Sequence, residues 1–331
     1  MTKRLSRAGE RGVAKAAALP VLFLSLLVGH VYPQAAPAGP DRDPGSFRIS
    51  VDVALVVLHA TVTGRQGGFV SDLAEHDFSV FEDGKPQSIR LFKDEDVQVT
   101  VGLVVDQSTS MRPKLAEVSA AARSFVRSSN PDDEMFVVNF NEHAWLGLPG
   151  AIRFTNNTVA LGNAITTRPP GGQTALYDAI AKALDGLQAG SRDKKVLIVV
   201  SDGGDNVSKH TLAQVMKLAA LSSAIVYTIG VFDEDDPDSN PGVLRRLAQA
   251  TGGEAFFPGQ LSEVVSICER IAQDIRHQYT IGYVPINPAR NGAYRAIRVV
   301  ARQKGGAGLS VRTRTGYIAG GEPRPDDKAA K

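Results

Sequence analysis

The chain has 331 residues and a mass of 35.2 kDa, enough for two ordinary domains or one with sizeable additions. Hydrophobic residues make up 43% and charged residues 22%, which permits a packed core and excludes wholesale disorder. The formal charge of +2 misleads. Residues 1–36 hold five basic side chains and one acidic one, so the remainder carries 32 basic against 34 acidic residues. Nucleic-acid binding driven by bulk charge is therefore not expected once that segment is removed. A single cysteine forbids an internal disulfide and any multi-cysteine zinc or iron–sulfur site, and no two of the six histidines are spaced as a metal pair.

The first segment reads as an export signal. A basic stretch over residues 3–15 leads into an apolar run from Ala16 to Val31, and small residues follow at Ala35, Ala36 and Ala38. The alternative is an uncleaved membrane anchor, because the run is close to the lower length limit for a span, but Pro20 and His30 shorten its apolar part. Residues 1–36 are thus assigned to the signal peptide and 37–45, rich in Pro, Gly and Ala, to a linker. No other stretch is apolar enough to span. The expected location is secreted or periplasmic.

From residue 46 to 98 the pattern has period two. Ile49, Val51, Val53, Leu55 and Val57 alternate with polar or small residues, as a half-buried strand does. A turn is expected at Gly64–Gly68. Phe78–Phe81 and Gln87–Phe92 flank Glu82-Asp-Gly-Lys85, and an Asp-Gly pair between alternating runs is a hairpin signal.

At Val99 the character changes. Val99–Val105, Met135–Phe140, Lys195–Val200 and Ala224–Ile229 are near-continuous apolar runs, the pattern of strands buried on both faces of a parallel sheet. Helical patterns lie between and after them at Pro113–Ser129, Ala175–Leu187, Thr211–Leu221, Gly242–Ala250 and Ser262–His277. Pro113 suits a first helical turn and Ser262 a cap. Cys268 falls on the apolar face of the last helix and is a core thiol. The expectation is an α/β domain over 99–277, with a mostly parallel central sheet and helices on both faces. Period two then returns in Tyr279–Tyr283, Ala296–Val300 and Leu309–Thr313. Neither terminal group of strands suffices alone. Strands of 278–320 are expected to pair with those of 46–98 in a small antiparallel β-sandwich, and 321–331 to form a disordered tail.

The chemistry gathers at strand ends. Asp106-Gln-Ser108-Thr-Ser110 follows the first parallel strand, where open α/β sheets bind ligands. Its oxygens are hard and suit Mg²⁺, Mn²⁺ or Ca²⁺ rather than zinc. Pro169-Pro-Gly-Gly-Gln-Thr174 delivers a hydroxyl just before a helix. Ser201-Asp202-Gly-Gly-Asp205-Asn206 puts a second carboxylate at another strand end. Asp205 reads as a loop cap, and His143, Trp145, Asn139 and Asn141 as surface or packing residues. Asp233–Asp238 lacks the spacing of an EF-hand and reads as an acidic surface loop.

With these three loops in place, residues Val99 to His277 resemble the von Willebrand factor type A domain, also called the integrin I domain. The resemblance implies a Rossmann-like fold and a metal-ion-dependent adhesion site (MIDAS) in which Asp106, Ser108, Ser110, Thr174 and Asp202 hold a divalent cation, Mg²⁺ first. It implies a non-enzymatic module for adhesion or assembly, bound by a protein partner that offers an acidic side chain to the ion. It also implies a coupling of the metal loops to the last helix. The flanking Val80-Phe-Glu-Asp-Gly-Lys85, Tyr279–Tyr283 and Arg314-Thr-Gly-Tyr317 are similar to secreted A-domain proteins of acidobacteria. A metal-dependent hydrolase and a structural envelope protein with a stabilising metal remain as rivals. The three loops hold no histidine or cysteine, and the chain has neither a Gly-x-Ser-x-Gly elbow nor a phosphate loop.

Overall fold

The computed structural model describes residues 55–232, 239–303 and 308–320. The expected signal peptide, the linker, the start of the first strand, the acidic loop 233–238 and the tail lie outside them. Among the described residues no helix is long and apolar enough to cross a membrane.

The chain enters through β1 (Val56–Thr63), whose inward residues Val56, Leu58, Ala60 and Val62 are buried. The turn at Gly64–Gly68 closes with a hydrogen bond from Gly64 N to Gly68 O. β2 (Phe78–Glu82) and β3 (Lys85–Gln87) form the hairpin expected from Asp-Gly, with φ of 48° at Asp83 and 77° at Gly84. Both turn positions need the left-handed region that glycine and, less readily, aspartate accept. The run Gln87–Phe92 is not one strand. It breaks after Gln87, and β4 (Ile89–Lys93) joins the opposite sheet.

The α/β part follows in alternation: β5 (Val99–Asp106), α1 (Leu115–Ser128), β6 (Glu134–Phe140), β7 (Ala144–Leu146), α2 (Thr158–Ile165), α3 (Leu176–Gln188), β8 (Lys194–Ser201), α4 (Leu212–Leu221), β9 (Ile225–Gly230), α5 (Pro241–Thr251), β10 (Ala255–Phe256) and α6 (Glu263–Arg276). Their sheet has the order β10-β9-β8-β5-β6-β7, parallel except for the edge pair β6–β7. Every residue of β5 is buried, as a central strand covered on both faces requires. α1 packs on α2 and α6, while α3, α4 and α5 pack as a second layer. Helix starts differ from expectation in two places. Pro113 lies in a turn ahead of α1, which begins at Leu115. Ser262 makes no side-chain cap on α6; the Glu263 carboxylate instead accepts a hydrogen bond from Gly259 N at 3.0 Å. Thr211 and Gln214 do form a capping box on α4.

β11 (Gln278–Tyr283), β12 (Tyr294–Ala301), β13 (Ser310–Arg312) and β14 (Gly316–Ile318) complete the chain. The sheets β13-β1-β11-β4 and β14-β12-β2-β3 each combine strands from both ends of the sequence. Leu58, Val80, Tyr279, Ile281, Tyr283 and Val299 share one core between them, which is the expected antiparallel sandwich. Inside it Glu82 receives Arg295 at 2.8 Å, Tyr283 Oη at 2.7 Å and Tyr317 Oη at 2.9 Å. Burial and the adjoining Glu82 push the Tyr283 hydroxyl far above its ordinary range.

One buried carboxylate joins the two parts. Asp274, on α6 and 2% exposed, accepts hydrogen bonds from Thr61 Oγ1 of β1 at 2.6 Å, from Tyr227 Oη of β9 at 2.9 Å and from the Arg312 guanidinium of β13. Beside it the buried Lys194 ammonium donates to Ile275 O, satisfying a carbonyl of the last turn of α6. Asp274→Ala leaves these partners buried around a missing charge, and breaking such a group costs about 3 kcal/mol or more. Urea unfolding measures it: a loss below about 1 kcal/mol would show that Asp274 does not tie α6 to the sandwich.

His59 on β1 is half-buried, with the Thr280 hydroxyl 3.3 Å from its Nδ1. Burial, then the charges of Lys194 and Arg314, push its pKa from 6.5 down to about 3. The folded chain therefore binds fewer protons than the unfolded chain between these values. The neutral ring's contribution is present above pH 6.5 and is lost as pH falls towards 3. His59→Gln should flatten the fall in urea midpoint across that window, and an unchanged slope would contradict the assignment.

Candidate functional site

Asp106 ends β5 and Ser201 ends β8, on adjacent parallel strands paired Val105 to Val200. This register sets a buried carboxylate beside a buried hydroxyl, and Ser201 Oγ donates to Asp106 Oδ2 at 2.7 Å. Asp106 Oδ1 accepts from Ser108 N at 2.8 Å, folding the chain back on itself after the strand. Asp106 is 0% exposed. Burial raises its pKa to about 6, with the nearby Asp202 charge adding to the rise and the hydrogen bonds of Ser108 and Ser201 opposing it.

The first and third loops meet through hydroxyls. Ser108 Oγ and Ser110 Oγ lie 3.1 Å apart, and Ser110 Oγ donates to Asp202 Oδ2 at 2.7 Å. Asp202 Oδ1 accepts from Gly204 N at 3.0 Å, and Gly203 N donates to Ser201 Oγ at 3.1 Å. Gly203 has φ of 81°, and a Cβ there would sit 2.5 Å from Asn240 O, so both the turn and its close packing on the start of α5 require glycine.

The second loop is held against both others by its backbone. Gly171 N donates to Gln107 O at 2.8 Å and Thr109 N to Gly172 O at 3.3 Å. Thr174 exchanges hydrogen bonds with Asn206, whose Oδ1 accepts from Thr174 N at 2.9 Å and whose N donates to Thr174 O at 3.0 Å. Of the five candidate residues, Asp106, Ser108, Ser110 and Asp202 form one continuous network. Thr174 is buried on the adjoining loop, and among the described residues its backbone rather than its hydroxyl makes the hydrogen bonds.

Neighbouring residues fall into supporting places. Asp205 Oδ1 accepts from Tyr177 N at 3.1 Å and Ser208 Oγ at 2.6 Å, so it holds the start of α3. Asn139 is fully buried and donates to Ala164 O at 2.7 Å, a packing role. Asn141 bonds Gly171 O at 2.9 Å and steadies the second loop. Trp145 lies under the Arg168 guanidinium, and His143 is exposed. Sequence reasoning left Ser201 without a role. Its signal was weak: a hydroxyl ending an apolar run, meaningful only once β5 and β8 are in register.

The donors at the strand ends are hard oxygens, a set that could hold a hard cation. Asp106 and Asp202 are buried within each other's field, and no lysine or arginine among the described residues pairs with either. Two like charges in such a place call for a positive partner, and the remaining donors are oxygens. Among the described residues no cluster of three or more His, Cys, Asp or Glu forms, so a cation held here would have to draw on the hydroxyls as well as the two carboxylates.

Residues 101–204, which contain all five candidate residues, match the sequence profile of the von Willebrand factor type A domain. The chain carries a von Willebrand factor type A domain. A search of curated proteins finds no match. Similar solved structures include a von Willebrand factor type A protein from Catenulispora acidiphila, with 16% identity over 72% of this chain and 73% of that one at a TM-score of 0.48. An aerotolerance-related membrane protein from Bacteroides fragilis shares 17% identity over 54% of this chain and 98% of its own, at 0.44. The von Willebrand factor domain of a type V pilus tip protein from Porphyromonas gingivalis shares 16% over 54% and 95%, at 0.45. In the A domain of this chain the family match and the strand-end network coincide on β5 and β8.

Ser201→Ala removes one donor from a buried carboxylate and one acceptor from Gly203 N. The expected loss is about 2 kcal/mol, the usual worth of a hydrogen bond to a charged group. Urea unfolding with no divalent cation present reads this directly; an unchanged midpoint would mean that Ser201 does not support Asp106.

Proposed function

We propose that this chain is an exported, non-enzymatic protein-binding module whose A domain holds a divalent cation, Mg²⁺ first with Mn²⁺ or Ca²⁺ as substitutes. Asp106, Ser108, Ser110, Thr174 and Asp202 are its ligands in this reading. The observation that carries it is the pair of buried carboxylates with no cationic partner among the described residues, joined by two serine hydroxyls on one rim of the sheet. When bound, the ion supplies a positive charge whose shell a carboxylate from outside can complete.

The chain's own residues prepare that contact. Ser201 and Ser108 N hold the Asp106 carboxylate in one orientation, and Gly204 N does the same for Asp202. The Asn206–Thr174 exchange keeps the second loop against the third. The preferred partner is a protein offering a glutamate or aspartate side chain, since a charge-assisted contact of this kind is strong and lost with the ion. Export rests on the basic, apolar and small-residue succession of residues 1–36. A hydrolase would need a base or nucleophile near the ion; the loops 106–111, 169–174 and 201–206 contain no histidine or cysteine, and Asp205, the carboxylate there that is not a ligand in this reading, accepts from Tyr177 N and Ser208 Oγ.

The test retrieves proteins from an envelope extract of the source organism with the immobilised chain in Mg²⁺, after chelation, and with Asp106→Ala. A partner held only by the wild type in Mg²⁺ is expected, with no metal-dependent turnover of a generic phosphoester. Retrieval of the same proteins by both forms would overturn the binding reading. Turnover abolished by Asp106→Ala would establish the hydrolase instead.

A further inference from the structure

Away from the strand-end site, where the sandwich meets the α/β part, a cleft of about 360 Å³ opens between β1 and β13 on one side and α5, β10 and α6 on the other. Three guanidinium groups line it: Arg245 of α5, Arg270 of α6 and Arg312 of β13. Among the lining residues the acid is Glu254, 3.6 Å from Arg270 and 3.5 Å from Arg312. These separations permit attraction but exceed the 2.7–2.9 Å of a charge-assisted hydrogen bond. Arg312 is also engaged by Asp274 and donates to Gly252 O at 2.7 Å. Three guanidiniums against Glu254 and Asp274 leave one positive charge uncompensated.

The other two arginines are held by rings. Arg245 Cζ lies 4.9 Å from the ring centre of Phe257, and Arg270 Cζ 5.8 Å from that of Phe256. Among the described residues Arg245 has no acidic partner, and Arg270 makes no hydrogen bond. A guanidinium resting on an aromatic face is fixed in position while the N–H donors in its own plane stay available. Gln249 and Ser310 add neutral polar groups to the same wall. An arrangement of pre-placed, unspent forks with excess positive charge is suited to planar or tetrahedral oxygen anions.

We propose that this seam cleft is a second binding site, for an oxyanion of the carboxylate or phosphate class, with Arg245 and Arg270 as its principal donors. It bridges elements of both parts, so an anion seated there contacts the α/β domain and the sandwich together. The site is independent of the divalent-cation reading, because no residue is shared with the strand-end loops.

The test is calorimetric titration of the full chain in dilute chloride buffer without divalent cation, using inorganic phosphate in one series and succinate in another. Saturable one-to-one binding of at least one anion is expected. It should weaken by about tenfold or more in the Arg245→Gln/Arg270→Gln variant, whose exposed positions leave the melting temperature unchanged. Binding should persist in Asp106→Ala. Phosphate alone would point to a phosphate-bearing ligand, succinate alone to a carboxylate-bearing one, and both to a general oxyanion site. No saturable heat with either anion, or equal binding by the double variant, would overturn the proposal.

Discussion

A carboxylate at the end of a strand buried on both faces is the constraint around which the candidate site is arranged. Asp106 is wholly removed from solvent, and its ionised form costs free energy there unless donors surround it. Ser201 and the Ser108 backbone meet part of that demand. Asp202 lies close enough to raise it again. The loops are therefore built to present negative charge at the sheet rim rather than to neutralise it. The parallel pairing of β5 with β8 makes this possible, since it brings two strand ends from distant parts of the sequence to the same edge.

The rest of the chain is tied together at the other end of the sheet, where β8 begins. α6 follows β10 and packs on α1, and its last turn is fixed by Asp274 and Lys194. Asp274 receives donors from β1, β9 and β13, so strands from both termini hold the same helix. The sandwich is thus more than an appendage. Its polar core, with Glu82 accepting from Arg295, Tyr283 and Tyr317, joins β2, β12 and β14 of one sheet to β11 of the other.

Much of this was legible in the sequence because the signals are local. The continuous apolar runs marked β5, β6, β8 and β9, and apolar spacing marked α1, α3, α4, α5 and α6 to within about two residues. The Asp-Gly hairpin was equally plain. What escaped notice is either short or relational. α2 has eight residues with Gly162 inside it, and β7 has three, so neither carries a period long enough to read. The break between β3 and β4 was hidden because both halves keep the same alternation while serving different sheets. For the site, Asp106, Ser108 and Ser110 share one turn and Asp202 lies in a recognisable loop. Ser201 acquires meaning only from cross-strand register. Asp274 was invisible for the same reason: on a helix it is one polar residue among many, and its partners lie as many as 213 residues away.

The most direct measurement of the central claim is the count of Mn²⁺ ions bound per chain, by electron paramagnetic resonance of the free ion at equilibrium. The account predicts one bound ion in the wild type and its loss in Asp202→Ala, with the variant still folded by circular dichroism. Equal binding by the two proteins, or none in the wild type, would contradict it.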